Sequence, residues 1–137
     1  MMVRLLIIAL LLNIVTYAEN NVSKKTTQNR QILQMMQSEL SKGLPKKIDT
    51  YTTLIGVEVE NQTLVYIYAI NTGAKSDESV RRDDMPRMQR AIIQGECRRS
   101  KIHFENGMDI EYRYRNALSH AELFRIHISY DNCREFY

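Results

Sequence analysis

The side chains best equipped for chemistry are two cysteines, Cys97 and Cys133, and three histidines, His103, His120 and His127. Cys97 stands in the stretch "QGECRR", after Gly95 and ahead of Arg98, Arg99 and Lys101. Clustered cations favour a thiolate, so this setting could make a reactive nucleophile. A nucleophile also needs a positioned base, and nothing in the sequence places a histidine beside Cys97. The histidines are separated by seventeen and seven residues, which matches neither a short metal-ligand pair nor two positions on one helix face. The carboxylates form no pair in a buried context that would split their pKa values. Asp83-Asp84 reads as support for a helix start through its dipole, and Glu111 as a cross-strand partner of Arg113 or Arg125. A Gly-rich phosphate loop, a nucleophile elbow and an HExxH pattern are all missing. The sequence therefore offers no catalytic, cofactor-binding or metal-ligating residue, and it reads as a non-enzyme without a cofactor.

The chain's first residues decide between a reactive and a structural cysteine. "MMVRLLIIALLLNIVTYAEN" opens with Arg4, continues with an apolar run from Leu5 to Leu12, and offers small residues at Thr16 and Ala18. This is the pattern of a cleavable export signal over residues 1–18, cut after Ala18. The apolar run is too short, and too soon interrupted by Asn13, for the roughly 20 residues of a spanning helix. No stable membrane span is expected, and the location is periplasmic or secreted. Exported chains meet oxidants, and two cysteines suffice for one bridge. Cys97 follows a helix and Cys133 follows the last strand, so a Cys97–Cys133 disulfide is expected to tie helix end to sheet end. Closing that loop is worth about 4 kcal/mol in the chain-entropy picture. Loss of the signal removes Arg4 alone among the charged residues, taking 19 Lys/Arg to 18 against 16 Asp/Glu. So small an excess predicts no nucleic-acid partner.

A single domain is expected over residues 28–137, after a flexible polar tail at 19–27. Ile32, Leu33, Met36 and Leu40 give a helix over Gln28–Lys42, capped by Thr26 or Thr27 and stopped by Gly43 before Leu44-Pro45. "YTTLIGVEVENQTLVYIYAIN" reads as two strands joined by a tight turn at Glu60–Gln62, with Tyr51, Thr53, Ile55, Val57 and Val59 sharing one face. Ser76 or Asp77 caps a helical region in which Pro86 belongs to the first turn of the main helix, with residues 77–83 as a separate turn. Met108, Ile110, Tyr112 and Tyr114 alternate with Asp109, Glu111, Arg113 and Arg115. In the last strand Phe124, Ile126, Ile128 and Tyr130 alternate with Leu123, Arg125, His127 and Ser129. The expected fold is α+β in the order α-β-β-α-β-β, with an antiparallel four-stranded sheet packed against two helices and one disulfide.

Two surfaces invite partners. The strand Leu64–Ile70 is apolar on both faces, which predicts a second cover. Val65, Ile67 and Ala69 are the candidate oligomer surface, and lysine at Val65 or Ile67 is expected to disrupt assembly more than folding. Arg81, Arg82, Arg87, Arg90, Arg98, Arg99 and Lys101 form the largest charge feature, diluted by acidic neighbours. It reads as a solvated helix face or as a dock for an anionic surface, such as an acidic protein or lipid head groups.

The order of features also resembles a known family. An export signal, a helix, "LPKKIDTYTTLIGVEVENQTLVYIY", a helix ending at Cys97, "GMDIEYRYR" and a closing "DNC" resemble small exported bacterial proteins named after a quorum-sensing-regulated virulence factor. The resemblance spans about Gln28–Cys133. Its most telling pieces are Leu44-Pro45 with Asp49 and Thr53, Tyr66-Ile67-Tyr68, Tyr112-Arg113-Tyr114 and the two cysteines. The Pro86-containing, Arg-rich second helix departs from that pattern. The resemblance implies a Gram-negative secreted or periplasmic α/β domain, able to self-associate, with no established enzymatic role and no active-site residues to carry over. The functional expectation is a non-enzymatic exported protein acting through contacts with itself or another exported protein, a self-associating virulence-related factor. The alternative is a periplasmic inhibitor or immunity protein that blocks a hydrolase with a rigid loop, Asn116–His120 or Thr72–Asp77.

Overall fold

The computed structural model describes the backbone of residues 2–137 and the side chains of residues 21–137; the export signal read over residues 1–18 lies outside the residues described in full. A first helix α1 (Met2–Ser41) is followed by strands β1 (Lys46–Lys47), β2 (Thr52–Glu60) and β3 (Thr63–Ile70). A crossover then contains α2 (Asp77–Ser79), a π-helical turn Val80–Asp84, α3 (Met85–Arg99) and α4 (Lys101–Glu105). Strands β4 (Asp109–Asn116) and β5 (Glu122–Ile128), α5 (Tyr130–Cys133) and a 3-10 turn at Arg134–Phe136 complete the chain.

The α+β class stands, but the sheet has five strands rather than four, in the order β1-β2-β3-β4-β5. It is also not wholly antiparallel, because β4 runs parallel to β3, pairing Tyr66 with Tyr112 and Tyr68 with Tyr114. The reason is the crossover. A tight turn reverses the chain between β2 and β3, whereas the helices between β3 and β4 carry it back to the end of the sheet from which β3 started. The added strand is the two-residue edge at Lys46–Lys47, paired with Leu54 and Thr53 of β2.

Residues 21–27, read as a tail, continue α1. Thr26 and Thr27 do not cap a start; their hydroxyls donate to the carbonyls of Val22 and Ser23 one turn back, each at 3.0 Å, a bond compatible with helix interior. The helix ends where Gly43 takes a φ of 79°, a left-handed conformation that glycine adopts without penalty. Ser76 caps α2 by accepting the Ser79 N–H, and Pro86 lies in the first turn of α3. The β2 alternation breaks at a bulge between Leu54 and Gly56. Leu54 and Val57 therefore face the core, while Ile55 and Tyr51, expected on that face, are exposed. The isolated glycine inside the strand pattern was the signal for that irregularity.

One sheet face carries the core in two parts. Leu33 of α1 packs with Leu54, Val57, Leu64 and Met108, and Ile32 and Met36 lie against them. The second part joins Val80, Cys97, Phe104, Ile110, Ile126, Ile128 and Cys133, with Met88 and Ile92 of α3 against it. Arg81, aimed by the π-helical turn, donates to the carbonyls of Leu123 (2.6 Å) and Glu122 (3.0 Å). It thereby occupies acceptors that the edge strand β5 would otherwise present to another chain.

The other sheet face has no helix, yet Val65 and Ile67 are 0% and 5% exposed and Ala69 is half-buried. The Arg113 side chain, opposite Ile67 on β4, reaches diagonally across β3 to Glu60, which lies opposite Thr63 on β2. Val65 sits between these two positions. The same guanidinium pairs with Glu111, and Arg125 and His127 extend the ion-pair lattice to Glu122 and Asp109. Val65 and Ile67, the candidate oligomer surface, are thus buried within the chain on a face crossed by charged side chains, whose methylene stems suit apolar surface while their heads stay wet.

Candidate functional site

The parallel register of β3 and β4 builds a ladder of tyrosines on the helical face. Tyr66 stacks on Tyr112 with centroids 5.3 Å apart, Tyr68 on Tyr114 at 5.2 Å, and Tyr68 also reaches Tyr112 at 5.8 Å. Helix α1 packs over β2 and β3, and α3 over β5 and α5. The two halves of the core share only Tyr66 and Tyr68 among their packed side chains. A groove is left between residues 48–52 and α3, and its inner part is floored by Tyr68, Tyr112 and Tyr114. It consists of two adjoining cavities of about 340 and 780 Å³ that have Asp49, Thr52 and Met88 in common. The smaller lies over Tyr68, Tyr112 and Tyr114, between Ile48 and the α3 residues Ala91, Ile92 and Arg99. The larger continues past Tyr51 and Ile70 to Lys75, Asp84 and Arg87.

Beneath the α3 wall is Glu96, 5% exposed. Tyr112 Oη donates to its Oε1 at 2.6 Å, Ser100 Oγ donates to Oε2 at 2.8 Å, and the Arg99 guanidinium also binds Oε1. A carboxylate satisfied on both oxygens is a structural anchor rather than a free base. Burial pushes the Tyr66 hydroxyl above its ordinary value and Tyr68 up to about 12. Tyr112 and Tyr114 are also raised, both mainly by burial, with Glu96 adding to the shift of Tyr112. The floor is therefore neutral at ordinary pH, with apolar ring bodies and hydroxyl tips.

Charge at the rim is unevenly exposed. The side chains of Lys75, Arg87 and Arg99 are 55%, 76% and 72% exposed, against 18% for Asp84 and 7% for Glu96. The backbone N–H groups of Tyr51 and Thr52 hold the Asp49 carboxyl below its ordinary range. The groove accordingly presents cations outward over an aromatic floor.

Cys97 and Cys133 form a disulfide across 36 residues, with Cα atoms 5.2 Å apart and both side chains fully buried. The Arg-flanked thiolate reading of Cys97 has no free thiol to act through. The histidines are not brought together: His127 lies on the open sheet face between Asp109 (3.1 Å) and Glu111 (3.4 Å), His120 is in the β4–β5 loop, and His103 is in α4. Among the described residues no group of side chains is arranged to hold a metal ion, and no helix is long and apolar enough to cross a membrane. The tyrosine floor was not identified from sequence, where Tyr66, Tyr68, Tyr112 and Tyr114 read as core alternation. Their hydroxyls were the available signal, since a sealed core favours side chains without polar tips.

No known protein-family profile matches the chain, and no characterised protein matches it in sequence. Solved structures do match in shape. A candidate secreted protein from Pseudomonas aeruginosa superposes with a TM-score of 0.70 at 17% identity, covering 80% of this chain and 96% of that one. The type 2 secretion system pilotin EpsS from Vibrio vulnificus gives 0.66 at 14% identity, covering 82% and 97%. The type II secretion system pilotin AspS from Vibrio cholerae gives 0.60 at 18% identity, covering 82% and 98%. At these identities the likeness is one of fold, and the chain shares its α+β fold with all three proteins.

Proposed function

We propose that the protein is exported from a bacterial cell and acts without catalysis, as a pilotin-like accessory of a secretion apparatus that holds a segment of a partner protein in the tyrosine-floored groove. The observation that carries this reading is the groove itself, an open trough with apolar walls, hydroxyl-bearing rings beneath and exposed cations along its edge. The fold shared with two secretion-system pilotins supports it, as does the shape of a candidate secreted protein. Membership of the quorum-sensing-regulated virulence factor family fits the same picture and belongs to this proposal. The test is binding of the purified protein to individual subunits of a type II secretion apparatus, by biolayer interferometry. Ile48→Asp and Ala91→Arg alter exposed groove residues and are expected to weaken that binding at least about tenfold without unfolding the chain. Unchanged binding in both variants would overturn the groove as the site, and no bound subunit would overturn the pilotin-like role.

A second reading, inhibition of a hydrolase, is favoured by the β4–β5 loop. Asn116 Oδ1 accepts the N–H groups of Leu118 and Ser119, and Asn116 Nδ2 donates to Asp77, so the loop is pinned while Leu118 stands 81% exposed. A rigid loop with an apolar tip suits insertion into a concave site. Leu118→Ala should abolish one-to-one capture of a hydrolase while leaving groove binding intact; capture that survives the substitution rules this reading out.

A further inference from the structure

The outer side of α3 is a surface of one charge sign. Arg87, Arg90, Gln94 and Arg98 recur every three or four residues and are all exposed, which places them on the helix face opposite the buried Glu96. The only acid within α3 is that buried Glu96. Arg90 and Arg98 make no ion pair among the described residues, and Lys101 continues the row just past the end of α3. At this end the row meets exposed apolar and aromatic groups. Ile102 is 72% exposed, the Lys101 ammonium lies 4.7 Å from the Tyr137 ring, and Tyr137 packs 5.8 Å from Tyr130. Glu105 pairs with Lys101 and Asp131 with Arg134, so the aromatic end is close to neutral while the middle of the row is strongly positive.

We infer that this face of α3, with Ile102 and the C-terminal tyrosines at its end, is a docking surface for anionic lipid headgroups. Arg90 and Arg98, without competing acids, attract a negatively charged bilayer surface, and the exposed Ile102, next in sequence to the Lys101 that meets Tyr137, suits the boundary between headgroups and acyl chains. An acidic protein would use the same cations but has no need of the protruding Ile102. Arg90, Arg98 and Ile102 line neither cavity of the groove, so a membrane-held protein would keep the groove open to a partner.

The test is co-sedimentation of the protein with phosphatidylcholine vesicles, with and without phosphatidylglycerol, at low and high salt. Phosphatidylglycerol is expected to raise partitioning by roughly fivefold per engaged cation at low salt, and salt to remove that gain. Arg90→Glu with Arg98→Glu should abolish the gain, Ile102→Ser should reduce partitioning at both salt levels, and the groove variant Ile48→Asp should change neither. Circular dichroism of each variant establishes that it is folded. Equal partitioning to both vesicle types overturns the inference, as does a phosphatidylglycerol gain that survives the double arginine variant. Poly-glutamate bound as tightly as the vesicles, with Ile102→Ser neutral, would assign the face to an acidic protein instead and overturn the lipid.

Discussion

Glu96 and Tyr112 form a short buried hydrogen bond of 2.6 Å. A carboxylate removed from water is costly unless its oxygens are occupied, and here Tyr112, Ser100 and Arg99 occupy them. Tyr112→Phe deletes one charged hydrogen bond and nothing else of size, so a loss of about 1.5–3 kcal/mol in urea unfolding is expected. Combining it with Glu96→Leu should cost less than the sum of the two single changes, since the carboxylate left short of a partner is then gone. The neighbouring Tyr68 makes a pH prediction. Its folded value is raised from 10.0 to about 12, so the unfolded chain ionises first as pH rises. Stability is therefore at its full level below pH 10 and falls as pH climbs towards 12. Tyr68→Phe should reduce that alkaline loss, leaving the shares of Tyr66, Tyr112 and Tyr114, as measured by urea melts across the window alongside the tyrosinate absorbance.

At the scale of elements, the open face of the sheet shows how a strand apolar on both sides can be buried without a helix over its second face. The Arg113 side chain crosses β3 towards Glu60 past the register of Val65, and its guanidinium is held by Glu60 and Glu111. Arg113→Ala should uncover Val65 and leave Glu111 without its nearest cation, lowering stability by about 2 kcal/mol. Arg113→Met, which keeps the cover, should lose less. Val65→Lys is now expected to unfold the chain rather than to dissolve an oligomer, because the side chain has no exposed exit; a folded, monomeric Val65→Lys variant would contradict the roof. Light scattering with thermal melts of the three variants distinguishes these outcomes.

For the whole molecule, the division of the core predicts unequal stability. The disulfide ties α3 to α5 within the larger core cluster, a constraint worth about 4 kcal/mol in the chain-entropy picture. Helix α1 is held by the smaller cluster around Leu33 and by polar contacts such as Asn29 Nδ2 to the Asn106 carbonyl at 2.9 Å. Leu33→Ala should cost about 2–5 kcal/mol. In hydrogen exchange, amides of residues 22–41 should then lose protection while those of β4, β5 and α3 keep it. Uniform loss of protection over the whole chain would show instead that the two parts unfold as one. No residue of α1 lines the groove, so binding of a partner segment should survive that local loosening.

The helix over 28–41, the β2–β3 and β4–β5 hairpins and the place of Pro86 were legible in the sequence, because each is set by local periodicity, capping or backbone restriction. The two cysteines behind an export-like leader likewise pointed to the disulfide, since only one pairing exists. The parallel pairing of β3 with β4 was not legible, for it depends on where a crossover of nearly forty residues brings the chain back, which no local pattern encodes. The same long-range pairing aligned Tyr66 with Tyr112 and Tyr68 with Tyr114, so the groove floor appeared only in three dimensions. Likewise, the sequence determined that Val65 and Ile67 need a cover, and only the tertiary structure decided that both are buried on a face where Arg113 reaches across from β4 to Glu60.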